Sequence, residues 1–226
     1  MFAVLATTRS ELENELRLFY QKYGKDGVVT YQEARKWVSE RNHQRRLTWL
    51  TLLVANKFQD LFGKLKTPFQ NNVDSIITKE FGFFGVSLDV PKLKWDADDL
   101  TWLDRLADDT ALWEAKVMSD IKKAILTKTT VDELSQVLGK RFLTMKNVLE
   151  RLALTETTAV SSITRKLIFK ELGISKYKYY ARTDERTCEQ CGSLHGLIFP
   201  ISAYEVGVTA PCLHPLCRCI TVPIKE

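Results

Sequence analysis

The sequence predicts an α+β protein, with a mostly helical N-terminal region over residues 1–140 and a small α+β C-terminal domain over residues 141–226. Three observations carry this. Composition splits the chain: all five tryptophans precede residue 114, all five cysteines follow residue 187, and four of the six prolines lie beyond residue 199. Apolar residues recur at helical spacing up to Gly173 and alternate with polar ones after it, and that change of period separates a helix face from a strand face. Finally, all five cysteines and two of the three histidines crowd between residues 188 and 219.

Glu11 to Tyr23 carries Leu12, Leu16, Phe19 and Tyr20 on one helical face, and the Gly24-Lys25-Asp26-Gly27 turn ends it. Thr30-Tyr31-Gln32-Glu33 has capping-box spacing and opens a second helix running past His43, read as an exposed residue. Leu47 to Phe62 gives a third, with Leu50, Leu53, Val54 and Phe58 in register. From Gly63 to Lys94 the pattern weakens around Pro68, Phe81-Gly82-Phe83-Phe84-Gly85 and Pro91. That span reads as a loop whose aromatics either fill the core or anchor a partner. Trp102, Leu106, Leu112, Trp113, Val117, Ile121, Ala124 and Ile125 then keep helical spacing. A second capping box, Thr130-Val131-Asp132-Glu133, precedes Leu134, Val137 and Leu138, with Gly139 as the stop. Phe142 to Leu172 reads as one long helix or two abutting ones, with Val148, Leu152, Val160, Ile163, Leu167 and Ile168 toward the core and Gly173 as its end.

In the C-terminal domain Tyr177, Tyr179 and Ala181 alternate with Lys178, Tyr180 and Arg182, a strand pattern, and Leu197-Ile198-Phe199 and Ile220 to Ile224 give two more. Cys188 and Cys191 form a C-x-x-C knuckle, and Cys212, His214, Cys217 and Cys219 follow beyond a loop. Such spacing suits a tetrahedral metal shell, and thiolate with imidazole points to zinc. An odd number of cysteines, no secretory signal and a C-x-C spacing too short for an easy internal bridge favour reduced thiols over disulfides. Extended geometry from Cys217 onward would send both thiols to one side and Ile220, Val222 and Ile224 to the other, toward the core. The ligands expected are Cys188, Cys191 and two of His214, Cys217 and Cys219, leaving Cys212 spare. A structural Zn2+ can contribute about 10 to 16 kcal/mol to so small a unit, which makes it a zinc-stapled domain.

The run from Asp184 to Phe199, D-E-R-T-C-x-x-C-x-x-L-x-G-x-x-F, and the run from Pro211 to Cys219, P-x-x-H-P-x-C-R-C, resemble the C-terminal signature of the phage head morphogenesis, or minor head protein, family named for protein F of phage Mu. Leu154-Thr155-Glu156-Thr157 stands where that family has an R-T-E-T motif. Leu154 replaces its arginine, and Cys212 replaces a second proline. The resemblance implies a minor head domain over residues 141–226, a place in the virion near the portal and inner capsid, and portal, capsid or scaffold proteins as partners, with DNA contact left open.

No 18- to 20-residue apolar run for crossing a bilayer occurs, and Met1 to Ala6 is too short and lacks the basic lead of a signal peptide. The expectation is a soluble protein made in the host cytoplasm. A formal net charge of +5 permits contact with nucleic acid or an acidic surface without requiring it. The basic residues Arg35, Lys36, Arg41, Arg45 and Arg46 read as a solvated helix face. The deaminase pattern is absent because neither His195 nor His214 is followed by x-Glu, and no phosphate loop, zinc-protease helix or nucleophile elbow occurs. A cysteine-rich shell is closed, whereas a catalytic zinc keeps an open position. The reading is therefore a non-enzymatic head protein. The alternatives are an ADP-ribosyltransferase-like or nuclease effector using Glu156, and a zinc-dependent nucleic-acid-binding module.

Overall fold

The computed structural model describes residues 2–29, 41–90, 93–96 and 98–224, with backbone alone over 41–47. In chain order the described elements are helices α1 (Phe2–Tyr23), α2 (Arg41–Phe84), α3 (Trp102–Leu126) and α4 (Val131–Glu171), strand β1 (Lys176–Tyr180), helix α5 (Glu189–Leu194), strand β2 (Ile198–Pro200), a 3-10 turn (Ile201–Ala203) and strand β3 (Ile220–Ile224). Helices before residue 172 and a three-stranded sheet after it give the expected α+β architecture.

The chain forms two compact units, one of Met1–Thr67 with Leu106–Val148 and the other of Pro68–Arg105 with Leu149–Glu226. In the first, Leu12, Leu16 and Phe19 of α1, Leu50, Val54 and Phe58 of α2, Leu106 and Val117 of α3, and Leu138 and Met145 of α4 are all buried. The rings of Phe58 and Phe142 lie 6.3 Å apart. The Thr130–Glu133 capping box forms as its spacing requires: the Thr130 N–H donates to Glu133 Oε2 at 2.8 Å, and the Glu133 N–H to Thr130 Oγ1 at 3.2 Å.

Several expectations change. α1 starts at Phe2 rather than Glu11. The helix from Leu47 does not stop at Phe62 but continues through Gly63 and Pro68 to Phe84. Leu61, Leu65, Phe69, Val73 and Ile76 prolong the buried stripe past both residues, and tertiary burial outweighs the hydrogen bond that an internal proline forfeits. Gly139 lies inside α4 and does not end it; its missing side chain leaves room for the Arg9 guanidinium. Leu112, placed with the core residues of α3, is exposed. The Thr30 capping box, the helix it would open and Trp37 lie outside the described residues, as do the side chains of His43, Arg41, Arg45 and Arg46.

In the second unit α4 ends at Gly173, as its sequence predicts. The Gly173 N–H donates to the Lys170 carbonyl and the Ile174 N–H to the Phe169 carbonyl, with Gly173 at φ +64°, so a left-handed residue closes the helix at little steric cost. The sheet that follows has strand order β2-β1-β3, all antiparallel, with Tyr177 opposite Phe199 and Tyr179 opposite Thr221. Its inner face carries Tyr177, Tyr179 and Thr221, all buried. Tyr177 packs with Ile168, Phe169, Tyr204, Val206 and Ala210, while Tyr179 packs with Ala159, Ala181 and four cysteines.

That packing corrects the face assigned to β3. The parity argument holds, because Cys217, Cys219 and Thr221 share one side. The core is on that same side, however, and Ile220 and Val222 point outward at 42% and 39% exposure. Tyr177, Tyr179 and Phe199, together with α4, fill the inner face. Cysteine is small enough to pack there, so the sulfurs join the core rather than oppose it.

Candidate metal centre

The C-x-x-C knuckle is built by helix α5. Cys188 is its N-cap, in extended conformation, and the Cys188 thiol accepts a hydrogen bond from the Cys191 N–H at 3.3 Å. One turn of helix therefore carries two sulfurs to the same side. The second set of donors comes from the irregular segment before β3, where the Cys217 N–H donates to the His214 carbonyl at 3.2 Å and closes a tight turn around Pro215 and Leu216.

The fold brings the sets together. Cys188, Cys191 and His214 have ligand atoms within 4.8 Å of one another, as do Cys191, Cys217 and Cys219, so Cys191 belongs to both groups. His214 Nε2 lies 3.2 Å from the Cys188 sulfur and 3.2 Å from the Cys191 sulfur. The Cys191 and Cys217 sulfurs are 3.9 Å apart. Tetrahedral zinc with bonds of about 2.3 Å to sulfur separates neighbouring sulfurs by roughly 3.8 Å, close to the Cys191–Cys217 separation, and the two groups that meet at Cys191 offer the thiol and imidazole donors that such an ion takes. All five cysteines are unbridged.

Cys212, expected to be spare, is buried beside the donors with its thiol donating to the His214 carbonyl at 2.9 Å. The neighbouring Cys212 thiol also holds the Cys217 thiol down at about 4, against the opposing effect of burial. The Cys188 thiol is lowered too, first by the Cys191 N–H, whereas burial pushes Cys191 and Cys219 up. His214 is raised in net: burial pulls it down, but the Pro215 carbonyl and the thiols of Cys217 and Cys188 outweigh that.

Around the donors the signature residues act as ties. The Arg218 guanidinium, between Cys217 and Cys219, grips the Asp184 carboxylate with two contacts of 2.6 Å. That carboxylate also accepts from the Arg186 N–H at 2.9 Å. The pair links the chain entering the knuckle to the chain carrying the second donor set, and Arg218 holds the Asp184 carboxyl well below the usual carboxylate range. Thr187 donates to the Arg182 carbonyl and accepts from the Asp184 N–H, fixing the turn before Cys188.

A pairing of Glu156 with Arg151, Arg165 or a backbone end, the simplest reading of a glutamate on this helix, is not what forms. Glu156 is 3% exposed and instead accepts from Trp95 Nε1 at 3.1 Å. Arg105 Nε lies 3.1 Å from its other oxygen; the two form an ion pair by distance but are aligned too poorly for a hydrogen bond. Arg105 also stacks on the Trp95 ring at 4.5 Å and binds both oxygens of Asp98 at 2.8 Å. Burial pushes the Glu156 carboxyl up, with Trp95 and Arg105 pulling the other way. Sequence reasoning missed Trp95 and Arg105, since nothing in their spacing points to residue 156. Arg165 goes elsewhere, to Glu80 at 2.8 Å and the Thr221 carbonyl at 2.6 Å.

A family model described as Phage Mu protein F like protein matches residues 115–222, a span that includes the end of α3, all of α4, β1, β2, the start of β3 and the entire donor cluster. No curated protein and no solved structure matches the chain.

Proposed function

From the match of residues 115–222 to the phage Mu protein F like family we propose that this chain is a non-enzymatic minor head protein, acting in head morphogenesis at the portal and inner capsid of a phage virion. The observation that carries the reading is that the residues giving the family resemblance are the ones that gather in space: the knuckle, the H-P-x-C-R-C turn and the Asp184–Arg218 pair form one cluster.

Cys188, Cys191, His214 and Cys217 are the residues we assign to one structural zinc, with Cys219 the alternative fourth ligand and Cys212 outside the shell. Bound there, zinc supplies a cross-link between α5 and the segment before β3 and no reaction chemistry, since four protein ligands leave no open position. One further feature supports a non-enzymatic role. The burial of Glu156 against Trp95 and Arg105 keeps that carboxylate from solvent. No helix among the described residues is long and apolar enough to cross a membrane.

Attachment to the portal or capsid falls to residues 1–140 in this reading, and the aromatic stretch at the end of α2 divides between two tasks. Phe84 packs edge-on against Phe169 with centroids 5.6 Å apart. Phe83 is 78% exposed, the kind of aromatic that anchors an interface. Co-purification of the chain with its portal and capsid proteins tests the role. Phe83→Ala is expected to weaken capture by about 1 to 3 kcal/mol with the melting temperature and zinc content unchanged, and undiminished capture rejects the anchor. NAD hydrolysis or nuclease activity abolished by Glu156→Gln, with assembly intact, would replace the whole reading by an enzymatic one.

A further inference from the structure

Helix α4 reaches the donor cluster through two hydroxyls that the metal shell itself does not use. Thr155 and Thr158 stand three residues apart on α4, hence on one face of the helix. The Leu216 N–H donates to Thr155 Oγ1 at 3.0 Å, and Thr158 Oγ1 donates to the Cys217 carbonyl at 2.6 Å. The two contacts take backbone groups of consecutive residues at the end of the turn that runs from His214 to Cys217.

That turn needs holding. Leu216 has φ +62°, the left-handed region that a branched side chain with a Cβ disfavours. An unrestrained chain would leave that conformation and carry Cys217 away from the knuckle. Around the turn the Cys217 N–H and the Cys212 thiol both donate to the His214 carbonyl, and His214 Nδ1 lies 2.8 Å from the Pro215 carbonyl; the contacts that reach Leu216 and the Cys217 carbonyl from another element come from α4. Thr155 is buried, and its hydroxyl also donates to the Arg151 carbonyl at 2.6 Å, which fixes its rotamer. The intervening Thr157 does not touch the turn: its hydroxyl donates to the Ala153 carbonyl and accepts from Asn72.

We propose that Thr155 and Thr158 are positioning residues for the metal centre, holding the His214–Cys217 turn in its ligating conformation, so that the affinity of the site is set in part by α4. This inference rests on the reading of the cluster as a metal site. It assigns the T-E-T-T run a role that is mechanical rather than catalytic: the threonines grip the donor turn while Glu156 between them grips Trp95.

The test uses the full chain, titrated with cobalt(II) and followed by thiolate-to-cobalt absorption, then with zinc against a competing chelator. Thr155→Val and Thr158→Val keep the side-chain shape and remove the hydroxyl. Each is expected to weaken metal binding by about 10- to 100-fold, the range found for partners that orient ligands, with one metal still bound at saturation. Thr158→Ser restores the hydroxyl and should recover affinity to within about 3-fold of the parent. Thr157→Val, equally placed on α4 but without contact to the turn, should leave it unchanged. Equal affinity in all four variants overturns the proposal while leaving the metal site standing, and so does equal weakening by Thr157→Val, which would make the effect one of general helix stability. A parent that binds no cobalt overturns the metal site and this inference with it.

Discussion

The two compact units are held by different kinds of interaction. In the first, most of the described buried residues are apolar side chains at helical spacing on α1 to α4. In the second, the short sheet brings little apolar area, and much of the joining is polar. The buried carboxylates Glu80 and Glu156 both belong to it. Glu80 meets Arg165, Asp96 binds Lys166 and the Val206 N–H, and the Tyr204 hydroxyl sits among Ser162 and Thr221. The first unit follows from the non-directional burial of apolar surface, which tolerates small changes of register. The second depends on directional contacts between segments distant in sequence, and those fail when a single partner is removed.

The largest test of that contrast is removal of the metal. Chelation, or Cys188→Ser, should abolish protection from hydrogen exchange over residues 173–224 through loss of binding energy on the order of 10 kcal/mol. The helices of the first unit should keep most of theirs; uniform loss along the chain would mean one cooperative body and remove the contrast. Next in size is Phe58→Ala, which empties a fully buried site in the first unit. It should cost about 3 to 5 kcal/mol in urea unfolding with zinc content at one per chain, whereas a fall in zinc content would tie the two units together.

Arg165→Met sharpens the other side of the comparison. It leaves Glu80 buried without its cation and the Thr221 carbonyl without its donor, and should cost about 3 kcal/mol. An effect within the usual range of surface substitutions would show that the polar network is incidental.

The smallest expected effect is a pH dependence from Glu156. Its folded-state value is raised, chiefly by burial, above an unfolded value of about 4.3. The stability it contributes is therefore fully present below that unfolded value and is lost as pH rises through the folded one. Glu156→Gln should remove this decline, so that the difference in unfolding free energy between parent and variant shifts in the variant's favour as pH rises from about 4. Parallel curves would mean that the carboxylate is not desolvated.

Much of this was legible in the sequence. Leu12, Leu16, Phe19 and Tyr20 mark α1, the Thr130–Glu133 box marks the start of α4, Gly173 marks its end, and Tyr177 and Tyr179 mark the inner face of β1, because each of these signals is local. The length of α2 was not legible. Gly63 and Pro68 are local breakers, and only the burial of Leu65, Phe69 and Val73 overrides them. The donor set, too, was visible as spacing alone, while the sharing of Cys191 between the two groups, and the placing of Cys212 beside Cys217, required the chain to fold back on itself.

The sequence by itself determined the α+β division, the strands, the parity of the thiols along the segment leading into β3 and the residue types able to hold a metal, since period and side-chain chemistry are properties of neighbours along the chain. Tertiary structure alone decided which side of β3 is buried, that Glu156 meets Trp95 and Arg105, and that Thr155 and Thr158 reach the turn before Cys217. Those outcomes depend on which distant segments compete for the same surface, and no local pattern records the result of that competition.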